Sequence, residues 1–327
     1  MPSTYATAIA QANIAFVKYW GNRDDRLRLP VNPSLSMNLA GLETETTVEF
    51  NDGWQQDEAI IGGETQSGPP RDRVTAHLDV IRARAGLSLR ARVDSRNNFP
   101  SGTGIASSAS AFAALTVAAV AAAGLHLTEA ELSALARLGS GSAARSVPGG
   151  FVEWDMGEEG RPETCYARTI APPEHWDLRD VIAVVSQKHK AIGSTSGHAL
   201  ARTSPLQAAR VATVPERLAR CREAVVARDF GRLADLVEAD SDLMHAVMMT
   251  STPPLLYWEP ITVAIMKSVR RWRSEGLPVC FTIDAGPNVH CLCPADSAAE
   301  VERRLHENLD VKRVLVAGPG GPARLRS

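Results

Sequence analysis

Four stretches of the chain combine residue types that hold anions or move protons. Pro100-Ser-Gly-Thr-Gly104 is a turn-rich segment that runs into Ser107 and Ser108, after which small apolar residues continue without charge to Leu125. Glycine permits close backbone approach, serine oxygens cap free helix N–H groups, and a helix start carries the positive end of the dipole. Together these features suit a phosphate group. Lys18-Tyr-Trp-Gly21 sets a cation beside two aromatic rings at a strand end, a place where side chains meet a ligand. The alternative there is a surface turn with a snorkelling lysine. Gly139 to Gly150 is a second Gly/Ser loop in which Arg145 stands among small residues, as a bidentate clamp for carboxylate or phosphate would. Taken alone, a solvated loop arginine is the simpler reading. Asp284 precedes the turn Ala285-Gly-Pro-Asn288, where an acidic residue is ordinary turn chemistry.

The elements that must position these residues follow from periodicity. Residues 4–17 alternate small, polar and β-branched side chains and predict a strand. Residues 29–41 and 44–50 predict two further strands around turns, and 51–70 a loop or hairpin. Val74, Leu78 and Ile81 carry a helical period through 71–85, and 87–97 alternates as a strand that delivers the chain into the 100–104 turn. Strand, glycine-rich loop and helix in that order are the context a phosphate loop requires. A short helix over Thr128–Leu138 opens on the capping pattern Thr128-Glu-Ala-Glu131. Strands are predicted over 151–157 and 180–187, with a polar loop at 188–197 in which His189 and His198 read as ordinary loop histidines. Residues 206–249 are helical, and Thr250-Ser-Thr-Pro-Pro254 breaks that run. A helix over 262–275, two strands within 278–294, a helix over 300–309 and a strand over 312–318 complete the chain. The pattern is α+β, with a boundary that divides 1–178 from 179–327.

Composition excludes several classes. With 327 residues, 44% hydrophobic and 22% charged, the chain reads as an ordinary globular protein of about two domains. A net charge of -2 gives no general attraction to nucleic acid or to an anionic membrane. The odd number of cysteines, five, argues against a disulfide framework, and Cys291-Leu-Cys293 is too tight for a zinc pair, so buried thiols of a cytoplasmic protein are expected. The N-terminus lacks a basic segment followed by an apolar core, so no secretory signal is expected. Ala109–Leu125 is uncharged but alanine-rich and short for a membrane span, and predicts a buried helix.

The segment 100–115, PSGTGIASSASAFAAL, resembles the phosphate-binding motif of the GHMP small-molecule kinases. Within that superfamily, ANIAFVKYWGNRD (12–24), the stretch 97–115, GSGSAARSVPGGFVEWDMG (139–157) and FTIDAGPN (281–288) resemble the diphosphomevalonate and phosphomevalonate decarboxylases. GSTSGHALARTSPL (193–206) and AGPGG (317–321) also fit, in the family's order. The resemblance implies a GHMP kinase fold: a ribosomal S5 domain 2-like N-terminal half that binds ATP, a ferredoxin-like C-terminal half, and an active site between them. It implies ATP and Mg2+, a small phosphorylated mevalonate as substrate, and a homodimer. In the expected reaction, the tertiary 3-hydroxyl is phosphorylated, the new phosphate leaves, and CO2 departs to form an alkene.

Position by position, the resemblance assigns catalysis to Asp284, Lys18 and Arg145. It places substrate on Asn13, Tyr19, Trp20, Gly21, Asn22, Arg73, Ser140, Gly141, Ser142 and Thr195. The nucleotide phosphates fall to Ser101, Gly102, Thr103, Gly104, Ile105, Ala106, Ser107 and Ser108, with no metal ligands assigned. Two departures stand out. Gly102-Thr103 replaces a common alanine pair. Asn22 replaces a lysine that reaches the substrate diphosphate in the decarboxylases. A unit charge pair at about 4 Å is worth roughly 4 kcal/mol at a surface-like dielectric, and its loss penalises a diphosphate more than a monophosphate. The expected substrate is therefore (R)-5-phosphomevalonate, giving isopentenyl phosphate; the alternative is diphosphomevalonate, giving isopentenyl diphosphate. A mevalonate 3-kinase that does not decarboxylate is disfavoured by Arg145 and Asp284, and a non-catalytic binder by the presence of Asp284, Arg145 and Lys18.

Overall fold

The computed structural model describes residues 4–99, 107–186, 193–309 and 311–326. The chain opens on strand β1 (Thr4–Val17), passes a two-stranded ribbon of β2 (Asn22–Asp24) and β3 (Leu29–Pro30), and enters the long strand β4 (Ser34–Asn51). A hairpin of β5 (Glu58–Ile61) and β6 (Glu64–Thr65) and helix α1 (Pro69–Ala85) lead to β7 (Arg90–Asn97). Helices α2 (Ser107–Ala122) and α3 (Glu129–Gly139), a 3-10 turn over Gly141–Ser146, and strands β8 (Phe151–Trp154) and β9 (Ala167–Ala171) follow. Next come β10 (Leu178–Ala183), α4 (Ser194–Leu200), α5 (Gln207–Ala227), α6 (Phe230–Met249) and α7 (Pro260–Ser274). The chain closes with β11 (Cys280–Thr282), β12 (Val289–Pro294), α8 (Ala298–Leu309), β13 (Val314–Ala317) and β14 (Arg324–Leu325).

The larger sheet runs β14-β1-β4-β7-β5-β6, and β8 joins it through β4 and carries β9 on its far side. The smaller sheet runs β11-β12-β10-β13. The outer part of β4 alternates buried and half-buried residues, as a one-sided strand must, whereas Ser34–Asn38 is buried throughout. That change marks where the large sheet becomes sandwiched. One core packs Ala8, Ala10, Val48 and Phe50 against α1 and α2. A second joins Ile14, Phe16, Leu35 and Met37 to Leu218, Val225, Leu233 and Val237 of α5 and α6, so it spans both halves of the chain. A third packs the smaller sheet onto α7 and α8 through Phe281, Cys291, Val269 and Leu305.

Most predicted elements are present, with differences at turns. The two strands predicted over 29–41 and 44–50 are one strand through most of their length. Gly41, at φ 81°, bends it, and the pairing with β1 slips between Gln11 and Asn13. The glycine therefore absorbs a bulge rather than ending a strand. The helical run at 206–249 is two helices, because Arg228 turns left-handed at φ 57° and Asp229 caps α6 through Arg232 N at 3.0 Å. Part of the predicted 188–197 loop is helix α4, and β9 and β14 belong to segments with no predicted element. Helix α2 is buried along most of its length, and no helix among the described residues is long and apolar enough to cross a membrane. All five cysteines are free thiols buried in the interior.

Candidate active site

β1, paired along its length with β4, delivers Lys18. Its last residues are buried on both faces, and beyond Val17 the chain leaves the ladder with Lys18, Tyr19 and Trp20 still buried. The turn after β11 delivers Asp284 from the opposite half. Lys18 Nζ donates to Asp284 Oδ1 at 2.6 Å; the lysine side chain is 1% exposed and the aspartate 24%. Burial lowers the Lys18 pKa despite the attraction of Asp284 and Asp240, and Arg145 lowers it further. Burial alone would raise Asp284, but Lys18 above all, with Arg145, holds it below the usual carboxylate range. The His290 ring reaches no solvent and lies 2.6 Å from Asp180.

Arg145 comes from the 3-10 turn after α3 and is 3% exposed. Its Nη1 donates to Ser34 Oγ at 2.8 Å, and its Nε and Nη2 donate to Asn13 Oδ1 at 3.3 and 3.2 Å. Asn13 in turn donates to Ser146 Oγ at 2.8 Å, which fixes the orientation of its amide. No carboxylate lies within ion-pairing distance of Arg145 among the described residues, and burial lowers its pKa to about 10. A buried guanidinium without a counter-ion is a strong attractor for an anion.

The second Gly/Ser segment packs on α2 and Tyr19 because two glycines let it. A Cβ on Gly139 would stand 2.0 Å from the Phe112 ring of α2, so only glycine lets the end of α3 press onto that helix. Ser140 then reaches Ser108, with the hydroxyls 3.3 Å apart. A Cβ on Gly141 would lie 2.6 Å from the Tyr19 ring, so glycine is what lets that ring approach. Two arginines hold the carbonyls at the C-terminus of α3. Arg73 donates to Gly139 O at 2.8 and 3.2 Å, and Arg28 to Leu138 O at 2.9 Å. Burial, then the proximity of Arg28, lowers Arg73 to about 10. Neither arginine makes an ion pair within 4.0 Å among the described residues.

These groups surround one cavity of about 220 Å³. Of the residues singled out in the sequence, Lys18, Tyr19, Trp20, Arg73, Ser107, Ser108, Ser140, Gly141, Ser142, Arg145 and Asp284 line it. Asn13 stands behind Arg145. Gly21 and Asn22 lie outside that wall and line a smaller hollow with Asp25, Val31 and Arg202. Asn22 accepts from the Tyr19 hydroxyl and donates to Asp25 at 3.0 Å, so its amide is engaged on both sides. Thr195 falls on α4, and its side chain, like Ser101, Gly102, Thr103, Gly104, Ile105 and Ala106, lies outside the described residues.

The structure also brings in residues that sequence reasoning passed over. Arg28 and Ser194 line the cavity. His198, read as a loop histidine, stacks on Tyr19 with ring centroids 4.1 Å apart and tilts against Trp20 at 4.6 Å. Its Nδ1 accepts from Gly21 N at 3.0 Å. Gly197 sits against Trp20 so closely that a Cβ would be 2.6 Å from the indole. Arg28 lies in a run of charges, Arg23 to Arg28, that reads as a solvated surface, and α4 has too few residues to show a period. Among the described residues, no group of three or more His, Cys, Asp or Glu side chains is arranged to hold a metal ion.

Comparisons with known proteins identify the family. Residues 10–167 match the diphosphomevalonate decarboxylase-like N-terminal domain, and residues 180–316 the mevalonate 5-diphosphate decarboxylase C-terminal domain. The chain is 39% identical to a diphosphomevalonate decarboxylase of Homo sapiens, over 91% of this chain and 79% of the relative. It is 36% identical to a phosphomevalonate decarboxylase of Haloferax volcanii, over 98% and 97%. Among solved structures, MDDEF in complex with MVAPP, AMPPCP and magnesium superposes with a TM-score of 0.94 at 35% identity, covering all of both chains, and carries the expected GHMP kinase fold. On the matched domains and the shared fold, the chain belongs to the family of diphosphomevalonate and phosphomevalonate decarboxylases.

Proposed function

We propose that this chain is an ATP-dependent decarboxylase of a phosphorylated mevalonate, with (R)-5-phosphomevalonate preferred. The products are then isopentenyl phosphate, CO2, ADP and phosphate. The observation that carries the reading is the Lys18–Asp284 pair beside Arg145, which has no carboxylate within 4.0 Å among the described residues, on the wall of one cavity. Arg145 holds the substrate carboxylate, with Asn13 and Ser34 fixing its plane. Asp284 accepts the hydrogen bond of the 3-hydroxyl. A carboxylate held below its ordinary pKa is a weak base, so it orients the nucleophile and takes the proton late, as a loose phosphoryl transfer allows. Lys18 keeps Asp284 ionised and adds positive charge near the reacting oxygens. Phosphate then leaves with the C–O electron pair. The tertiary carbon draws the electrons of the C–carboxylate bond, which become the alkene as CO2 departs.

Ser107 and Ser108, at the start of α2 and on the cavity wall, suit the nucleotide phosphates, and the Ser101–Ala106 backbone is assigned to them as well. The solved complex of a relative with AMPPCP and magnesium supports ATP and Mg2+ as the partners of this site. The metal would supply charge neutralisation between phosphates. Tyr19, Trp20, Gly21, Asn22, Arg73, Ser140, Gly141, Ser142 and Thr195 are assigned to the phosphorylated end of the substrate. The two halves divide near residue 178, a division supported by domain matches that end at 167 and resume at 180. A homodimer is the assembly this reading carries, checked by sedimentation.

The preference for one phosphate rests on the neutral Asn22, and a phosphomevalonate decarboxylase that matches end to end supports it. A second reading, the diphosphate, is favoured by Arg28, a cation on the cavity wall next to Arg73. The test is kcat/KM for CO2 release on both substrates. Higher kcat/KM on the monophosphate is the expected result; a strong preference for the diphosphate overturns it.

A further inference from the structure

Lys18 and Asp284 come from different halves of the chain, so something must set the distance between them. Lys18 lies one residue beyond β1, where its backbone has left the ladder. Its N–H donates to Asp240 Oδ2 at 2.6 Å. Its carbonyl accepts from Arg210 Nη2 at 2.8 Å and from Asn32 Nδ2 at 3.0 Å. Asp240 is held in turn by Arg217 Nε at 2.8 Å. On the other side, Ile283, the residue before Asp284, donates its N–H to Ser241 Oγ at 3.0 Å. Its carbonyl lies 3.2 Å from His245 Nε2. Burial lowers the His245 pKa to about 4, so the ring is neutral with its hydrogen on Nε2, as donation to a carbonyl requires. Asp240, Ser241 and His245 all belong to α6 and are at most 1% exposed.

We propose that α6 is the template that spaces the reacting pair, with Asp240 gripping the backbone of Lys18 and Ser241 and His245 gripping the backbone before Asp284. Ser241 and His245 are four residues apart and share a helix face, while Asp240 is turned about 100° towards β1. One rigid helix thus fixes both backbones by hydrogen bonds that touch neither reacting side chain. Asp240, Ser241 and His245 are positioning residues, and this role rests on the decarboxylase reading given above.

The test compares Ser241→Ala, Asp240→Asn and His245→Gln with Val237→Ala, a buried α6 position whose apolar side chain makes no hydrogen bond. Each is measured for Tm, for kcat and KM of CO2 release, and by crystallography. A displacement of about 1 Å costs on the order of 100-fold in rate. Ser241→Ala and Asp240→Asn should therefore lower kcat roughly 10- to 100-fold, with KM for the phosphorylated mevalonate changed less than about 3-fold. Val237→Ala should lower Tm and keep its kcat. The Lys18–Asp284 distance should exceed 2.6 Å in crystals of Ser241→Ala. If kcat in the α6 variants follows Tm along the same line as Val237→Ala, or the distance is unchanged, the proposal is overturned. Should the wild type release no CO2 from either phosphorylated mevalonate, the decarboxylase reading fails instead, and the crystallographic distance alone decides whether α6 spaces the pair.

Discussion

Lys18 Nζ stands 2.6 Å from Asp284 Oδ1 across 266 residues of sequence, and the lysine is almost wholly buried. Taking charge out of water is expensive, and each partner offsets part of that cost for the other. The pair is also asymmetric. Burial lowers Lys18 whereas neighbouring cations lower Asp284, so the site favours the ionised carboxylate over a proton on it.

Asp284→Asn should lower kcat by about 10²- to 10⁴-fold, the range for loss of a positioned acid–base group. It also leaves Lys18 buried without its counter-charge. Urea melts should show Asp284→Asn less stable than the double variant Lys18→Met with Asp284→Asn, because the double variant removes both buried charges. Equal or lower stability of the double variant would count against the pair as described.

Arg145→Lys should raise KM for the phosphorylated mevalonate on the order of 10- to 100-fold. Lysine keeps the charge but loses the planar fork that reaches Asn13 and Ser34 together. Initial-rate kinetics at fixed saturating ATP give the comparison. An unchanged KM would show that the guanidinium plane is not what orients the carboxylate.

Arg28→Gln and Arg73→Gln each remove one cation from the cavity wall beside the end of α3. Both variants should raise KM, about 10-fold or more, since charge-assisted hydrogen bonds to phosphate contribute about 1.5–3 kcal/mol. The increase should be larger for a substrate with two phosphates. Equal KM in wild type and both variants would move the phosphate elsewhere.

Asn22→Lys should raise the ratio of kcat/KM on diphosphate to kcat/KM on monophosphate about 10-fold or more, by placing a cation next to Tyr19. Asn22 itself is occupied with Tyr19 and Asp25 and lies outside the cavity wall. On the monophosphate reading, what position 22 contributes is the absence of a charge. A ratio that does not move would separate position 22 from the choice of substrate.

Acid should destabilise the protein through two buried histidines. Burial and the nearby arginines lower His77 to about 3, and burial lowers His245 to about 4, while in the unfolded chain both titrate near 6.5. Between those values the unfolded state binds protons that the folded state refuses. Stability is therefore full above about pH 6.5 and falls as pH drops towards 4. Urea melts at pH 7 and pH 5 should differ by about 2 kcal/mol per histidine. His77→Gln, which keeps a donor for the Thr116 hydroxyl 2.9 Å away, should reduce that difference.

Much of this architecture was legible in local pattern. Helix α3 shows its capping box in both sequence and structure, with Thr128 Oγ1 accepting from Glu131 N at 3.3 Å. β1, α2 and α7 follow their periodicities, because each buries one face or all of itself in a core. Strand β14 has two residues and α4 has seven, too few to carry a period, and Gly41 reads as a turn until a partner strand supplies the register that makes it a bulge.

The sequence by itself determined the family, the α+β class and the charged and polar residues at the cavity: Lys18, Arg145 and Asp284 with the Gly/Ser segments around them. Tertiary structure alone decided that Arg28 and His198 join the cavity, that Asn22 lies beside rather than in it, and that α6 hydrogen-bonds the backbones of Lys18 and Ile283. The reason is physical. Residue type and local period are set by near neighbours in the chain, whereas burial, counter-charge and hydrogen-bond partners are set by segments that meet only when the two halves pack over one core.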